Sequence, residues 1–402
     1  MSRKPINSGV RSQESEYLPY GRQSISEEDI QAVVAVLRSD WLTQGPAIEK
    51  FEKRVAEYCG AKYAVAVSNA TAALHLGCLA LGLKKGDLLW TSPNTFVASA
   101  NCALYCGAEV DFVDIDPRTY NMSVVELEKK LIAAKKKNRL PQIVVPVHFS
   151  GQSCEMDKIS RLSKKYGFRV MEDASHAIGG SYKSKPIGSC KYSDLAIFSF
   201  HPVKIITTGE GGMILTNNKK LFDQLIRLRT HGITRDEKFM EGASHGPWYY
   251  QQIELGFNYR ITDIQAALGL SQMKRLSFFV KRRQLLVRRY NKILRKLPIT
   301  LPFQNPDADP SWHLYVIRLK LDEISKSHRK VFEELRAANL GVNLHYIPVH
   351  TQPHYRKLGF KSGDFPEAEK YYSEAISLPL YPDLTEANQE RIAATLEKIL
   401  SN

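Results

Sequence analysis

Between Tyr63 and Thr216, short runs rich in β-branched and aromatic residues alternate with stretches of helical period. A chain built this way has few means of burying both kinds of segment, and the usual one is a parallel or mixed sheet covered by helices. Strands are predicted at Tyr63 to Val67, Leu88 to Thr91, Val110 to Val113, Ile143 to Val147, Arg169 to Glu172, Leu195 to Ser199 and Met213 to Thr216. Several are apolar throughout rather than alternating, as expected where both faces of a sheet are covered. The expectation is an α/β fold with a mixed, mostly parallel seven-stranded sheet and a ligand site at the C-terminal edge of its strands.

After Arg260 a helical pattern runs to about Leu297 and stops at Pro298, whose ring cannot continue a helix. Beyond it, His313 to Leu321 and Val342 to Tyr346 read as strands, with helices at Arg329 to Ala338 and Glu386 to Leu400. The expected organisation is a polar tail over residues 1–16, a large domain over 17–270, and a bridging helix with a smaller α+β domain over 271–402.

Lys plus Arg exceed Asp plus Glu by 56 to 42, a balance that attracts anions. Much of the excess lies in Lys129 to Arg139 and Lys274 to Arg295, mixed with apolar residues at helical spacing, so solvated helix faces account for it. No zinc finger, helix-turn-helix or aromatic RNA-binding pattern accompanies it, and a nucleic-acid partner is not expected. Cys59, Cys78, Cys102, Cys106, Cys154 and Cys190 lack the paired spacing of a zinc site or disulfide framework, so reduced thiols and no metal are expected. Cys102 and Cys106, four apart in a predicted helix, can share a face. Met1 to Glu16 has no apolar signal core and no apolar run reaches membrane-spanning length, so the expected location is the cytoplasm, with no membrane partner.

Three segments carry chemistry. Phe198-Ser199-Phe200-His201-Pro202-Val203-Lys204, followed by Thr207-Thr208-Gly209-Glu210-Gly211-Gly212, puts a lysine on a loop between two apolar strands. Burial lowers a lysine pKa, and a neutral amine forms an imine with an aldehyde cofactor; an ordinary surface lysine is the alternative. Val170-Met171-Glu172-Asp173 ends a strand in two acids, and a carboxylate there can keep a cofactor's pyridine nitrogen protonated, unless Asp173 merely caps a helix. Ser68-Asn69-Ala70-Thr71 leads a strand into an Ala-rich helix, whose first N–H groups suit a phosphate, although many such turns bind nothing.

Together these segments resemble the DegT/DnrJ/EryC1/StrS sugar aminotransferases of the pyridoxal 5′-phosphate (PLP) fold type I. The likeness runs from about Tyr20 to Pro382 and rests on Asn69-Ala70-Thr71-Ala72-Ala73-Leu74, Thr95-Phe96, Asp173-Ala174-Ser175-His176, Ser199 to Lys204, Gly209-Glu210-Gly211-Gly212 and Asn258-Tyr259-Arg260. The resemblance implies that Lys204 is the Schiff-base lysine and acid–base group and Asp173 the partner of the pyridinium nitrogen. Ser199 and the Ala70-Thr71 backbone would hold the phosphate, Phe96 would stack on the ring, and His176 would lie beside it. It implies a homodimer in which Asn258 completes the neighbouring subunit's phosphate site. Arg260 would meet a sugar-nucleotide pyrophosphate or make a structural ion pair. Tyr346, His350 and Tyr355 would wall the substrate site. In the related dehydratases a histidine replaces the lysine, whereas this chain keeps Lys204.

Pro19-Tyr20-Gly21-Arg22-Gln23 and Asp40-Trp41-Leu42-Thr43-Gln44-Gly45-Pro46 resemble segments of the members that aminate C4 of a UDP-linked 4-keto-6-deoxy-N-acetylhexosamine with L-glutamate, on the route to pseudaminic acid. Thr43 then joins the substrate contacts. The cofactor segments do not read the nucleobase, so a dTDP- or GDP-keto sugar stays open.

Overall fold

The computed structural model describes residues 16–401, so the predicted polar tail, but for Glu16, lies outside the described residues. Seven strands form the large sheet: β1 (Tyr63–Val67), β2 (Leu88–Thr91), β3 (Glu109–Phe112), β4 (Ile143–Val145), β5 (Arg169–Asp173), β6 (Leu195–Ser199) and β7 (Gly212–Thr216). Their spatial order is β1-β7-β6-β5-β4-β2-β3, with β7 antiparallel to both neighbours and the other pairings parallel. The fold is therefore α/β with a mixed, mostly parallel sheet.

The apolar runs follow from burial on two sides. Val65, Leu89, Val145, Met171, Ile197 and Ile214 face one way, onto α2 (Ala70–Ala80) and α3 (Ala98–Tyr105). Ala64, Trp90, Val144, Val170, Phe198 and Met213 face the other, and there Phe51 and Val55 of α1 (Pro46–Cys59) pack under the β1, β6 and β7 side. Strand alternation thus remains, but both of its phases are apolar.

The predicted single helix after Arg260 is two: α4 (Asp263–Met273) and α5 (Leu276–Ile293). At the junction Arg275 has ψ near 0°, and Asp29 takes its guanidinium at 2.5 Å. Side-chain periodicity does not register a break of so few residues. Beyond α5 come β8 (Ile299–Thr300), β9 (Tyr315–Leu319), α6 (His328–Ala337), β10 (Ala375–Leu378) and α7 (Glu386–Leu400), with β9 central in an antiparallel three-stranded sheet. The strand expected at Val342 to Tyr346 is not one. Leu340–Gly341 pairs with Leu18–Pro19, Asn343 makes an isolated bridge to Ser377, and irregular backbone carries His345 and Tyr346 toward the large sheet. With Leu286, Tyr290, Ile317, Leu335 and Leu396 forming a core of their own, we propose a division near residue 270, the Leu18–Pro19 strand pairing with the second part.

Arg283 of α5 is fully buried and forms no ion pair among the described residues. Its Nη1 donates to the carbonyls of Trp312, His313 and Leu380 at 3.3, 3.2 and 2.9 Å, and burial brings its pKa down to about 10. Trp312 holds a φ of 52°, a costly value for a bulky residue, so this fork fixes a strained turn. Arg283→Met relieves a desolvated charge but leaves three carbonyls without donors. A net loss of about 3 kcal/mol is expected in urea denaturation.

Candidate active site

Antiparallel β6 and β7 are adjacent, so the segment joining them must turn back at the C-terminal edge of β6. That segment carries Lys204. Gly212 pairs with Ser199 on one side and Val67 on the other, which brings the lysine loop, the end of β6 and the start of α2 together. A Cβ on Gly212 would lie 2.6 Å from the Asn69 carbonyl, so only glycine allows this approach. Around these elements opens a cavity of about 660 Å³.

Among the predicted residues, Ala70, Thr71, Phe96, Asp173, His176, Ser199, Lys204 and Tyr346 line it. Lys204 leaves part of its surface open to the cavity while its amine is enclosed, and burial brings its pKa down to about 8 against the pull of the Asp173 carboxylate. The lowered pKa raises the share of neutral amine, the form that an aldehyde cofactor requires. At the start of α2, the Asn69 side chain caps the Ala72 N–H at 2.8 Å and leaves the N–H groups of Ala70 and Thr71, at the positive end of the helix, for an anion. Phe96 stands at the mouth, 58% exposed. The neutralisable amine, buried carboxylate, anion cradle and exposed ring fit PLP.

Asp173 does not cap a helix. Its Oδ2 accepts from Ser99 Oγ at 2.6 Å and its Oδ1 from the Ser175 N–H at 3.1 Å, while Ser99 Oγ lies 2.8 Å from Thr95 Oγ1. Ser99 was invisible as a site residue because α3 reads as a small-residue helix, and Thr95, which meets it, precedes that helix. Ser99→Ala is expected to lower turnover about tenfold, the worth of one charge-assisted hydrogen bond. A pH titration of the bound cofactor's visible absorbance should shift with it.

Four histidines line the cavity, His176, His201, His313 and His345, and the first, third and fourth of them feel the charge of Lys204. Burial, then the positive Lys204 or a neighbouring histidine, lowers the pKa of His176, His313 and His345, that of His345 to about 3. The Ser150 N–H approaches His176 Nδ1 at 3.3 Å, which makes Nδ1 the acceptor and assigns the ring proton to Nε2. Nε2 then donates to the Tyr346 hydroxyl at 3.0 Å and leaves the phenolic proton for the cavity. His313 and His345 were not anticipated. The only sequence signal for His313 is a polar residue inside the apolar run from Trp312 to Leu319.

Two residues expected to wall the substrate site lie away from the cavity of the single chain. His350 is fully buried, bonded through Nε2 to Glu369 at 2.9 Å and packed on Phe365, and Tyr355 donates to Asn101 at 2.6 Å beneath Phe112. Both side chains turn from the cavity because the helical turns Val349–Thr351 and Pro353–Arg356 point them into the core. Thr43, Asn258 and Arg260 also lie outside the lining of the single chain, yet close to one another. Gln44 Nε2 bonds the Ile261 carbonyl at 3.1 Å, Arg260 bridges Val67, and the Ser68 N–H bonds the Tyr259 carbonyl at 2.8 Å. Among the described residues no group of three or more His, Cys, Asp or Glu is placed to hold a metal, and no helix is long and apolar enough to cross a membrane.

Comparison with known proteins gives this geometry its setting. The DegT/DnrJ/EryC1/StrS aminotransferase family matches residues 23–397. The chain belongs to that family. It is 39% identical to the spore coat polysaccharide biosynthesis protein SpsC of Bacillus subtilis, over 96% of this chain and 97% of that one. It is 38% identical to the UDP-4-amino-4,6-dideoxy-N-acetyl-beta-L-altrosamine transaminase of Campylobacter jejuni, over 95% and 97%. In structure it resembles Helicobacter pylori PseC, an aminotransferase involved in the biosynthesis of pseudoaminic acid, with a TM-score of 0.88, 29% identity, and 96% and 100% of the two chains covered. It also resembles a Streptococcus pneumoniae sugar aminotransferase in its PLP form, with a TM-score of 0.85, 27% identity, and coverage of 96% and 99%. The protein is thus a sugar aminotransferase, and its cofactor is PLP. When bound, that group carries the amino nitrogen between donor and acceptor and its ring accepts the electron pair released at the reacting carbon.

Proposed function

We propose that this family member transfers the amino group of L-glutamate to C4 of a UDP-linked 4-keto-6-deoxy-N-acetylhexosamine. The observation that carries the reading is the 38% identity, over nearly the whole chain, to the Campylobacter jejuni transaminase that its name assigns to such a sugar. In this reading Lys204 anchors PLP, then serves as the base and acid that moves the proton. Asp173 holds the ring nitrogen's proton, and Ala70, Thr71 and Ser199 bind the phosphate. Phe96 covers the ring, His176 lies beside it and presents Tyr346, and Tyr346 donates to the sugar. Work done in the cytoplasm would feed a nonulosonic acid, pseudaminic acid, for glycosylation of surface proteins such as flagellin.

Thr43, Asn258 and Arg260 act across a homodimer in the same reading, each completing the cavity of the partner subunit. What supports this is their grouping outside their own cavity, together with exposed apolar side chains nearby in sequence, Trp41, Trp248 (72% exposed) and Leu255 (79%). Arg260, with a planar fork suited to paired oxygens, would take the pyrophosphate. Mixing Lys204→Ala with Asn258→Ala protein should restore activity that neither has alone. Unrestored activity after verified subunit exchange would remove Asn258 from a shared site.

The likeness to SpsC favours a second reading, in which the acceptor is a dTDP- or GDP-linked keto sugar for a polysaccharide. Incubation with L-glutamate and the UDP-, dTDP- and GDP-linked 4-keto-6-deoxy sugars separates them. The first reading requires the UDP sugar to have the highest kcat/KM, and preference for another nucleotide sinks it.

A further inference from the structure

The two basic stretches of the sequence meet different surroundings in the fold. In the first, Lys129, Lys130 and Arg139 each lie within 2.7 Å of a carboxylate, those of Glu126, Asp111 and Glu109. In the second, no Asp or Glu occurs from Lys274 to Lys296. There Arg275 bonds Asp29, Arg282 and Arg283 donate to carbonyls, and Arg289 holds Glu386 and Glu390 of α7 at 2.9 and 2.5 Å. Lys274, Lys281, Arg288, Lys292, Arg295 and Lys296 are exposed and form no ion pair among the described residues.

Helical geometry sorts these side chains. Leu276, Phe279, Val280, Leu286, Val287 and Tyr290 of α5 are buried, which turns the opposite side of the helix outward. Phe278, Lys281, Leu285, Arg288 and Lys292 follow one another at intervals of three and four, so they share that outer face. At about 1.5 Å per residue, the 18 residues of α5 make a straight ridge roughly 27 Å long, with Lys274, Arg295 and Lys296 at its ends. Between the cations Phe278 is 59% exposed and Leu285 47%. Beside Leu285 opens a hollow of about 260 Å³, lined also by Arg282, Arg288, Arg289, Lys292 and Glu386. None of these residues lines the active-site cavity.

We propose that this face of α5 docks the enzyme on an anionic phospholipid surface. Charge complementarity selects the occupant: a row of unpaired cations calls for phosphates, and the hollow offers cations to a headgroup with Leu285 beneath it. Glu386 and Glu390 stand beside the ridge but are engaged by Arg289. A second copy of the chain would bring like charges together. A nucleic acid would satisfy the cations yet leave Phe278 and Leu285 against its phosphates, whereas on a bilayer both reach the boundary between headgroups and acyl chains. The expectation of no membrane partner rested on the lack of an apolar run of spanning length, and a helix lying on a bilayer needs none. This inference stands apart from the choice of sugar.

The test is flotation of the PLP-loaded protein with vesicles of phosphatidylcholine, alone or with about one-third phosphatidylglycerol, at about 0.15 M salt. Binding to the anionic vesicles alone is expected, with release as salt is raised. Lys281→Gln, Arg288→Gln and Lys292→Gln combined should weaken it about a hundredfold, roughly fivefold per cation, with amination unchanged. Phe278→Ser with Leu285→Ser should weaken it about tenfold, as half-buried apolar side chains are lost from the interface. Lys135→Gln, Lys136→Gln and Lys137→Gln combined remove the same charge from the first stretch and should change binding less than about twofold. The proposal is overturned by wild-type protein that ignores anionic vesicles, by equal losses in the two charge variants, or by capture of a mixed-sequence RNA without capture of vesicles.

Discussion

Replacing Lys204 by alanine is expected to lower sugar amination by about 10³-fold or more, the combined loss of an anchor and of a positioned acid–base group. The fold should survive. Lys204 keeps part of its surface in the cavity, its backbone turn is closed by its own N–H to the His201 carbonyl at 2.9 Å, and no ion pair depends on it among the described residues. The thermal midpoint of the variant should therefore stay close to that of the parent, while borohydride no longer fixes PLP to the peptide containing residue 204. Retained turnover would take the lysine out of the mechanism. The pKa near 8 adds a second readout with a definite sign. Because only the unprotonated amine captures an aldehyde, PLP uptake by the cofactor-free wild-type protein should accelerate about tenfold per pH unit below pH 8 and level off above it. A rate flat from pH 6 to 9 would mean that the amine is neutral throughout.

The sheet and the cofactor pocket were legible in the sequence for one reason: both are local. β1, β2 and β6 occupy the predicted residues, and the other four strands differ by at most two residues at an end, because an apolar run ended by turn residues is a short-range signal. Asp173, Ser199 and Ala70 each sit at a strand or helix end and Lys204 on the loop that leaves β6, so finding the element places the residue. Where the chain relies on distant partners the reading loses its grip. The segment from Val342 to Tyr346 looks like a strand by composition, but Tyr346 is drawn out of any ladder by the Asn94 side chain, to which its N–H donates at 3.2 Å, and by His176. His350 and Tyr346 lie four residues apart in one stretch, and only the helical turn between them decides that one faces the cavity and the other Glu369. The Ser99 hydroxyl and the neutral state of the three imidazoles come from contacts between separate segments, which periodicity does not encode.

Asp173→Asn is the substitution that separates charge from shape. Asparagine fills the same volume, and the hydroxyl chain behind it can adapt: Ser99 Oγ and Thr95 Oγ1, 2.8 Å apart, can exchange donor and acceptor roles so that Ser99 accepts from an amide where it now donates to a carboxylate. The Ser175 N–H keeps an oxygen to bond. The neutral amide, however, cannot balance a protonated pyridine nitrogen inside a largely buried pocket, where the low effective dielectric makes that balance count most. Turnover is therefore expected to fall by about 10² to 10⁴ with the fold intact, a loss of roughly 3 to 5 kcal/mol in transition-state stabilisation. The comparison with Ser99→Ala sharpens the inference, since that change removes one donor and keeps the charge, and its effect should be smaller by at least about tenfold. Equal losses in the two variants would assign the role to the hydrogen-bond geometry rather than to the carboxylate's charge.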